Sequence, residues 1–220
     1  MTVPDYRAQL EAGVRGLMLA VPRSWIHEGD GTEPEVEAAF EAALTELRSQ
    51  GAEIVEIDGQ PFMDARAANS LILVAEAYAY HEKTLQTRPD LFGKGVRDRV
   101  REGAFISSAD YINAMRARSV IAGQVGEILK GADAIVSPST PRPANPFEEN
   151  DPEIAFRRPS FFNAFNLTGL PAISVPNGMT SMGLPIGLQI AGRAFDEATV
   201  LRVARAYERA TPWHDMHPPI

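Results

Sequence analysis

Near the start of the chain two strand patterns enclose one helix pattern, and this arrangement limits the possible folds more than any other feature. Leu17–Val21 is an apolar run that ends at Pro22, as a short buried strand does. From Pro34 onward, Val36, Phe40, Ala43, Leu44 and Leu47 fall on one helical face. Proline is tolerated in a first turn because the N–H it lacks would be unpaired there anyway, and Gly51 is placed to stop the helix. Glu53–Ile57 then alternates polar and apolar residues, which predicts a second strand. A helical crossover joins parallel neighbours, whereas an antiparallel pair needs only a tight turn. The chain therefore opens with a βαβ unit.

The remainder extends that unit. Met63–Gln86 is rich in Ala and Leu and reads as a long helix; Lys94–Glu102 reads as a short charged one. Ser107 and Asp110, three apart, resemble a capping box ahead of a helix that runs to about Leu129, with Gly131 placed to end it. Ala134–Val136 predicts a third strand. Between Pro138 and Pro159 stand six prolines, which remove donors and fix φ, so 138–159 reads as an irregular loop. Its Glu148, Glu149, Asp151 and Glu153 suit a solvated segment. Phe161–Leu167 is short and apolar. Ala172–Val175 and Ile186–Ile190 read as strands, separated by a loop holding Asn177-Gly178 and Gly183. Asp196 is placed to cap a last helix that buries Val200, Leu201, Val203, Ala204 and Tyr207. The expected class is α/β: a mixed β-sheet covered by helices, with residues 1–220 forming one domain.

Composition removes several functions. The formal charge is −8 over 220 residues, which disfavours binding to nucleic acid or to anionic lipid. The absence of cysteine excludes disulfides, thiolate catalysis and cysteine-ligated zinc, and suits a cytosolic protein. Met1–Gly13 carries Asp5, Arg7 and Glu11 without an apolar run, so no signal peptide is expected, and no apolar stretch is long enough to span a membrane.

Searches for chemistry mostly fail. No serine has glycines two before and two after it, as a nucleophile elbow needs for its sharp turn. The three lysines, Lys83, Lys94 and Lys130, are preceded three residues earlier by Tyr80, Leu91 and Glu127, so no Ser-x-x-Lys pair exists. Phosphate-binding glycine motifs are absent, and residue 85, a Leu, breaks any zinc-protease pattern at His81-Glu82. His214 and His217 flank Asp215 among prolines, which favours a solvated tail over a metal site; no metal or cofactor is expected. Ser137-Pro-Ser-Thr-Pro141 follows a strand, where α/β proteins place ligands, and its hydroxyls either bond a substrate or satisfy turn backbone. Asn166 and Gly169 either close a helix or serve a site.

At this point the blocks "RGLMLAVP", "GADAIVSPSTPRPA", "FNAFNLTGLPAISVP", "GLPIGLQIAGRAFDEATVLRVARAYERAT" and "WHDMHPP" resemble, in order, the amidase signature family, and the helical stretch between them is similar too. The resemblance covers about Tyr6 to Pro219. It implies a mixed sheet between helical layers and hydrolysis of amides to an acid plus ammonia or an amine. It further implies a Ser nucleophile, a second Ser in a cis peptide as relay, a Lys base and a glycine-rich oxyanion site. That machinery belongs to the family's N-terminal half, which this sequence does not resemble. The adjacent serines Ser107-Ser108 lack the flanking glycines, so no catalytic residue is carried over.

What the resemblance does carry over is pocket lining, at Ser139, Thr140, Phe162 and Asn166. Related tRNA-dependent amidotransferases usually place an acidic residue shortly before the Asn; Arg157-Arg158-Pro159-Ser160 stands here instead. Three readings follow: the C-terminal part of an amidase, inactive alone, whose partners are a complementary N-terminal half and a small-molecule amide; a stand-alone binding module; or a hydrolase using Ser139, for which no base is evident. A bare sheet edge on such a part would also favour a homodimer.

Overall fold

The computed structural model describes residues 4–28, 31–145 and 160–216. Among them, five strands form one mixed sheet. They are β1 (Met18–Val21), β2 (Glu53–Glu56), β3 (Ala134–Pro138), β4 (Ala172–Met179) and β5 (Pro185–Gly192). Their order is β2-β1-β3-β5-β4, with β1 parallel to both β2 and β3, and β5 antiparallel to β3 and β4. The helices are α1 (Arg23–Glu28), α2 (Pro34–Ser49), α3 (Gln60–Thr87), α4 (Lys94–Arg101), α5 (Ser108–Ile128), α6 (Phe162–Thr168) and α7 (Glu197–Ala210).

Side-chain alternation along the strands builds two cores. Leu19, Val21, Ala134, Val136, Val175, Leu188 and Ile190 point to one face, where α2 and α7 bury Phe40, Leu44, Leu47, Val203 and Tyr207. Ala20, Ile135 and Ala191 point to the other, under Phe62, Ala65 and Ile72 of α3, Ile121 and Val125 of α5, and Ala164 and Phe165 of α6. The five apolar positions expected on α2 are its buried residues, and Gly51 at φ +94° ends the turn that follows it. The capping box is formed at α5: Asp110 N donates to Ser107 Oγ over 3.1 Å while Ser107 N donates to the Asp110 carboxylate. Asp196 accepts from Thr199 N and so starts α7.

Four local expectations need correction. Helix α1 follows β1 directly, an element that the βαβ reading of this region left out. Strand β3 continues through Ser137 to Pro138. Beyond Ile135 its β1 side is unpaired, so the N–H that Pro138 lacks costs no ladder bond there. Strand β4 does not stop at Val175. Asn177 and Gly178 form an irregularity within it, Gly178 taking φ +114°, and the reversal occurs at 180–184, where Gly183 has φ +76°. Leu201 lies half-buried at the margin of the stripe made by Val200, Val203, Ala204 and Tyr207. Of the proline-rich loop, residues 146–159 lie outside the described residues, as does His217.

Candidate functional site

The segment after β1 fixes the position of α6. Pro22 ends the strand, and α1 carries Trp25 beneath α6. Trp25 stacks on Phe62 of α3 with centroids 5.0 Å apart and receives the edge of Phe161 at 4.7 Å and of Phe165 at 6.3 Å. Phe161 and Phe165 are four residues apart, so one side of α6 is pinned on this aromatic cluster. The next position round the helix then carries Phe162, half-buried, and Asn166, exposed. Gly169 at φ +73° closes α6, its N–H bonded to Phe165 O, which supports the helix-ending role read for that glycine.

Asn166 opens onto a cavity of about 350 Å³ between α3, α5 and α6, lined by Asn69, Ile72, Leu73, Glu76, Arg118, Asn166 and Leu167. Arg118 Nε donates to Leu167 O over 2.8 Å, which ties α5 to the end of α6. Asn69 Nδ2 donates to Asn163 Oδ1 over 3.3 Å, tying α3 to the same helix. Tyr111 OH donates to Glu76 over 2.9 Å; that bond holds the phenol proton and, with some burial, raises the tyrosine above its ordinary pKa. The wall thus combines apolar patches with a cation, a carboxylate and amides, the mixture that orients a small polar molecule. Asn69, Glu76 and Arg118 were not singled out from sequence.

Ser139 and Thr140 occupy a different place, at the carboxyl end of β3. Register puts Ser137 opposite Gln189 on β5, and Gln189 opposite Ser174 on β4. These three side chains share the face on which Ile135 and Ala191 lie. One step further along, Ser139 Oγ is 2.6 Å from Ser174 Oγ, directly above Gly187, where a Cβ would meet the two hydroxyls at 2.6 and 2.9 Å. Ser139 and Gln189 are 5% and 3% exposed, and Ser137 is fully buried. Ser137 Oγ and Gln189 Oε1 have no hydrogen-bond partner among the described residues. The hydroxyl of Thr140 donates to Arg142 O over 2.8 Å, the turn-satisfying alternative. Phe162 N donates to Ser160 Oγ. The four expected residues therefore divide between the end of β3 and the exposed side of α6.

Among the described residues no base is bonded to Ser139, and Glu76, the carboxylate lining the cavity at α6, accepts from Tyr111. Ser139 is bonded to another hydroxyl, which cannot take its proton at neutral pH. All three lysines are exposed, Lys94 beside Asp98 and Lys130 bonded to Glu127. Ser107 is committed to capping α5. His214 lies in a 3₁₀ turn, Trp213–Asp215, and no metal-holding cluster occurs among the described residues. No helix among them is long and apolar enough to cross a membrane.

Comparison with known proteins identifies the family. The family model described as Amidase matches residues 1–201. The chain is 41% identical to a glutamyl-tRNA(Gln) amidotransferase subunit of Myxococcus xanthus, covering 94% of this chain and 48% of that protein. It is 34% identical to an amidase of Pseudomonas putida, covering 98% of this chain and 47% of that protein. Among solved structures, a glutamyl-tRNA(Gln) amidotransferase subunit of Thermotoga maritima superposes with a TM-score of 0.72 at 34% identity, over 96% of this chain and 46% of that one. The chain spans about half the length of the curated relatives it matches.

Proposed function

This chain belongs to the amidase family, and on that premise we propose that it walls the pocket in which a small amide is held while a complementary N-terminal half supplies the nucleophile. It corresponds to the C-terminal portion of such an enzyme. The observation that carries the proposal is the pairing of a mixed polar cavity with lysines that are all surface groups. A chain so built can orient an amide, but among the described residues no base is bonded to Ser139, so the proton of a nucleophile must be taken by a group of the other half. Asn166 and Arg118 orient the amide from α6 and α5; Ser139 and Thr140, which lie apart from that cavity at the end of β3, are assigned with Phe162 to a second wall that the complementary half closes. The chain acts as one domain in the cytoplasm, without nucleic acid.

The test is complementation. The purified chain is mixed with a polypeptide covering the half of the Myxococcus relative that this chain does not match, and hydrolysis of a simple aryl amide is followed. Activity should arise only in the mixture, with Asn166→Ala and Arg118→Ala raising KM more than they lower kcat. A mixture whose activity ignores both substitutions would remove the pocket assignment. The stand-alone binding reading draws on one observation, that the cavity is formed by this chain's own residues; calorimetric uptake of small amides by the isolated chain supports it, and its absence rejects it.

A further inference from the structure

On the face of the sheet opposite the cavity between α3, α5 and α6, a second cavity of about 320 Å³ lies between α2, the end of β4 and the turn Trp213–Asp215. Its floor is buried and consists of Tyr207, Asn177 and Gly178. Its mouth is exposed, at Glu35, Ala38 and Ala42 of α2. Tyr207 OH donates to Asn177 Oδ1 over 2.5 Å, which holds that end of the amide. The other end, Nδ2, has no hydrogen-bond partner among the described residues, although Asn177 is only 2% exposed. A donor buried in this way costs free energy until an acceptor reaches it, and the cavity that Asn177 lines is the route by which one can.

We infer that this cavity binds a small organic cation that also carries a carbonyl oxygen, a site separate from the function proposed above. The carbonyl answers Asn177 Nδ2 on the floor. The charge answers Glu35 at the mouth. Ser181 N donates to Glu35 Oε1 over 2.9 Å and fixes that side chain, and the Ser181 hydroxyl and N–H together hold its carboxyl below the ordinary value. Glu33 and Glu37 face Arg142 and His27, whereas no cation among the described residues is paired with Glu35. An ionised carboxylate there attracts a cation and repels an acid. The walls set the body between the two groups. A Cβ on Gly178 would stand 3.7 Å from Ala39 Cβ and 3.9 Å from Trp213 Cζ2, ordinary contact on both sides. The slot at that level is therefore one carbon thick and suits a flat apolar body lying against the indole. At about 30 Å³ per water the space equals about ten waters, which fits a ligand of about ten non-hydrogen atoms.

The probe is para-acetylbenzylamine, which joins an ammonium and a ketone through one ring and has no amide bond to hydrolyse. Benzylamine lacks the carbonyl, and acetophenone lacks the charge. Proton–nitrogen spectra of the purified chain follow the indole N–H resonances of Trp25 and Trp213, its two tryptophans. The Trp213 resonance should shift saturably with a Kd of about 1 mM or tighter while Trp25 stays still, and each comparator should bind about tenfold more weakly or worse. Glu35→Gln should weaken the probe about tenfold and leave acetophenone unchanged. Ala42→Trp, at an exposed helical position, should abolish binding, and Asn166→Ala, at the other cavity, should change nothing. No saturable shift at Trp213, a shift indifferent to Glu35→Gln and Ala42→Trp, or a loss of binding in Asn166→Ala would each overturn the inference. The complementation result above stands or falls separately from all three.

Discussion

Replacing Gly187 by alanine tests whether the hydroxyl pair at the end of β3 is a built feature. Gly187 does not lie in the left-handed region, so on backbone grounds alone the substitution should stabilise the protein by about 0.4–1 kcal/mol through the unfolded chain. Space dictates the opposite sign. The new Cβ would stand 2.6 Å from Ser139 Oγ, 2.9 Å from Ser174 Oγ and 3.0 Å from Ser139 Cβ. The hydroxyls must part, which forfeits their bond at about 1 kcal/mol, and the strands must yield, at about 1–3 kcal/mol for overpacking. The net loss, after that backbone gain, should be about 1–3.6 kcal/mol, which lowers a urea midpoint by about 1 M at a slope of about 2–3 kcal/mol/M. Truncating both serines to alanine should relieve more than about 1 kcal/mol of that loss in a double-mutant cycle. A neutral or stabilising Gly187→Ala would refute the reasoning.

Other perturbations reach the rest of the frame. Trp25→Ala empties the aromatic cluster under α6 and should cost about 3–5 kcal/mol, about 6–20 °C in Tm for a chain of this size; calorimetry measures it, and a shift below about 3 °C would show that α6 is anchored otherwise. Tyr207 is buried, and burial pushes its phenol up to about 12. A folded-state value above the unfolded one gives stability that is complete below about pH 10 and is lost as pH rises towards 12. Urea denaturation should show this alkaline loss in the native chain and a smaller one in Tyr207→Phe, where Tyr111 still contributes. At neutral pH the same variant should lose about 1–3 kcal/mol, because Asn177 Oδ1 is buried and loses its donor. Gly103→Ala should unseat the turn between α4 and α5 from α3, since its Cβ would lie 2.2 Å from the carbonyl oxygen of Val74; near-native stability of that variant would contradict this close approach.

Legibility followed the range of the interaction. The βαβ start, the capping box at Ser107 and the cap at Asp196 rest on local patterns, and all three were readable. Helix α1 was not: its six residues are too few for a period to emerge, and Trp25 and Ile26 bury into opposite cores. Asn177-Gly178 is a strong turn pair, yet here Tyr207 on α7 bonds Asn177 and holds the pair inside β4, a contact thirty residues away in sequence. Resemblance led to Asn166, but Asn69, Glu76 and Arg118 join it only because α3, α5 and α6 converge. Gln189 did leave a trace. It is a polar residue at an inward position in an otherwise apolar strand, and reading β5 position by position would have found it.

The central proposal is that this chain walls an amide pocket while the nucleophile and its base come from a complementary polypeptide. The direct measurement is turnover of an aryl amide by the purified chain, with no other polypeptide present, together with labelling by a fluorophosphonate. The account predicts a rate no greater than that of buffer and no labelled serine. Hydrolysis at enzymatic speed, or labelling of Ser139 that Ser139→Ala abolishes, would contradict it.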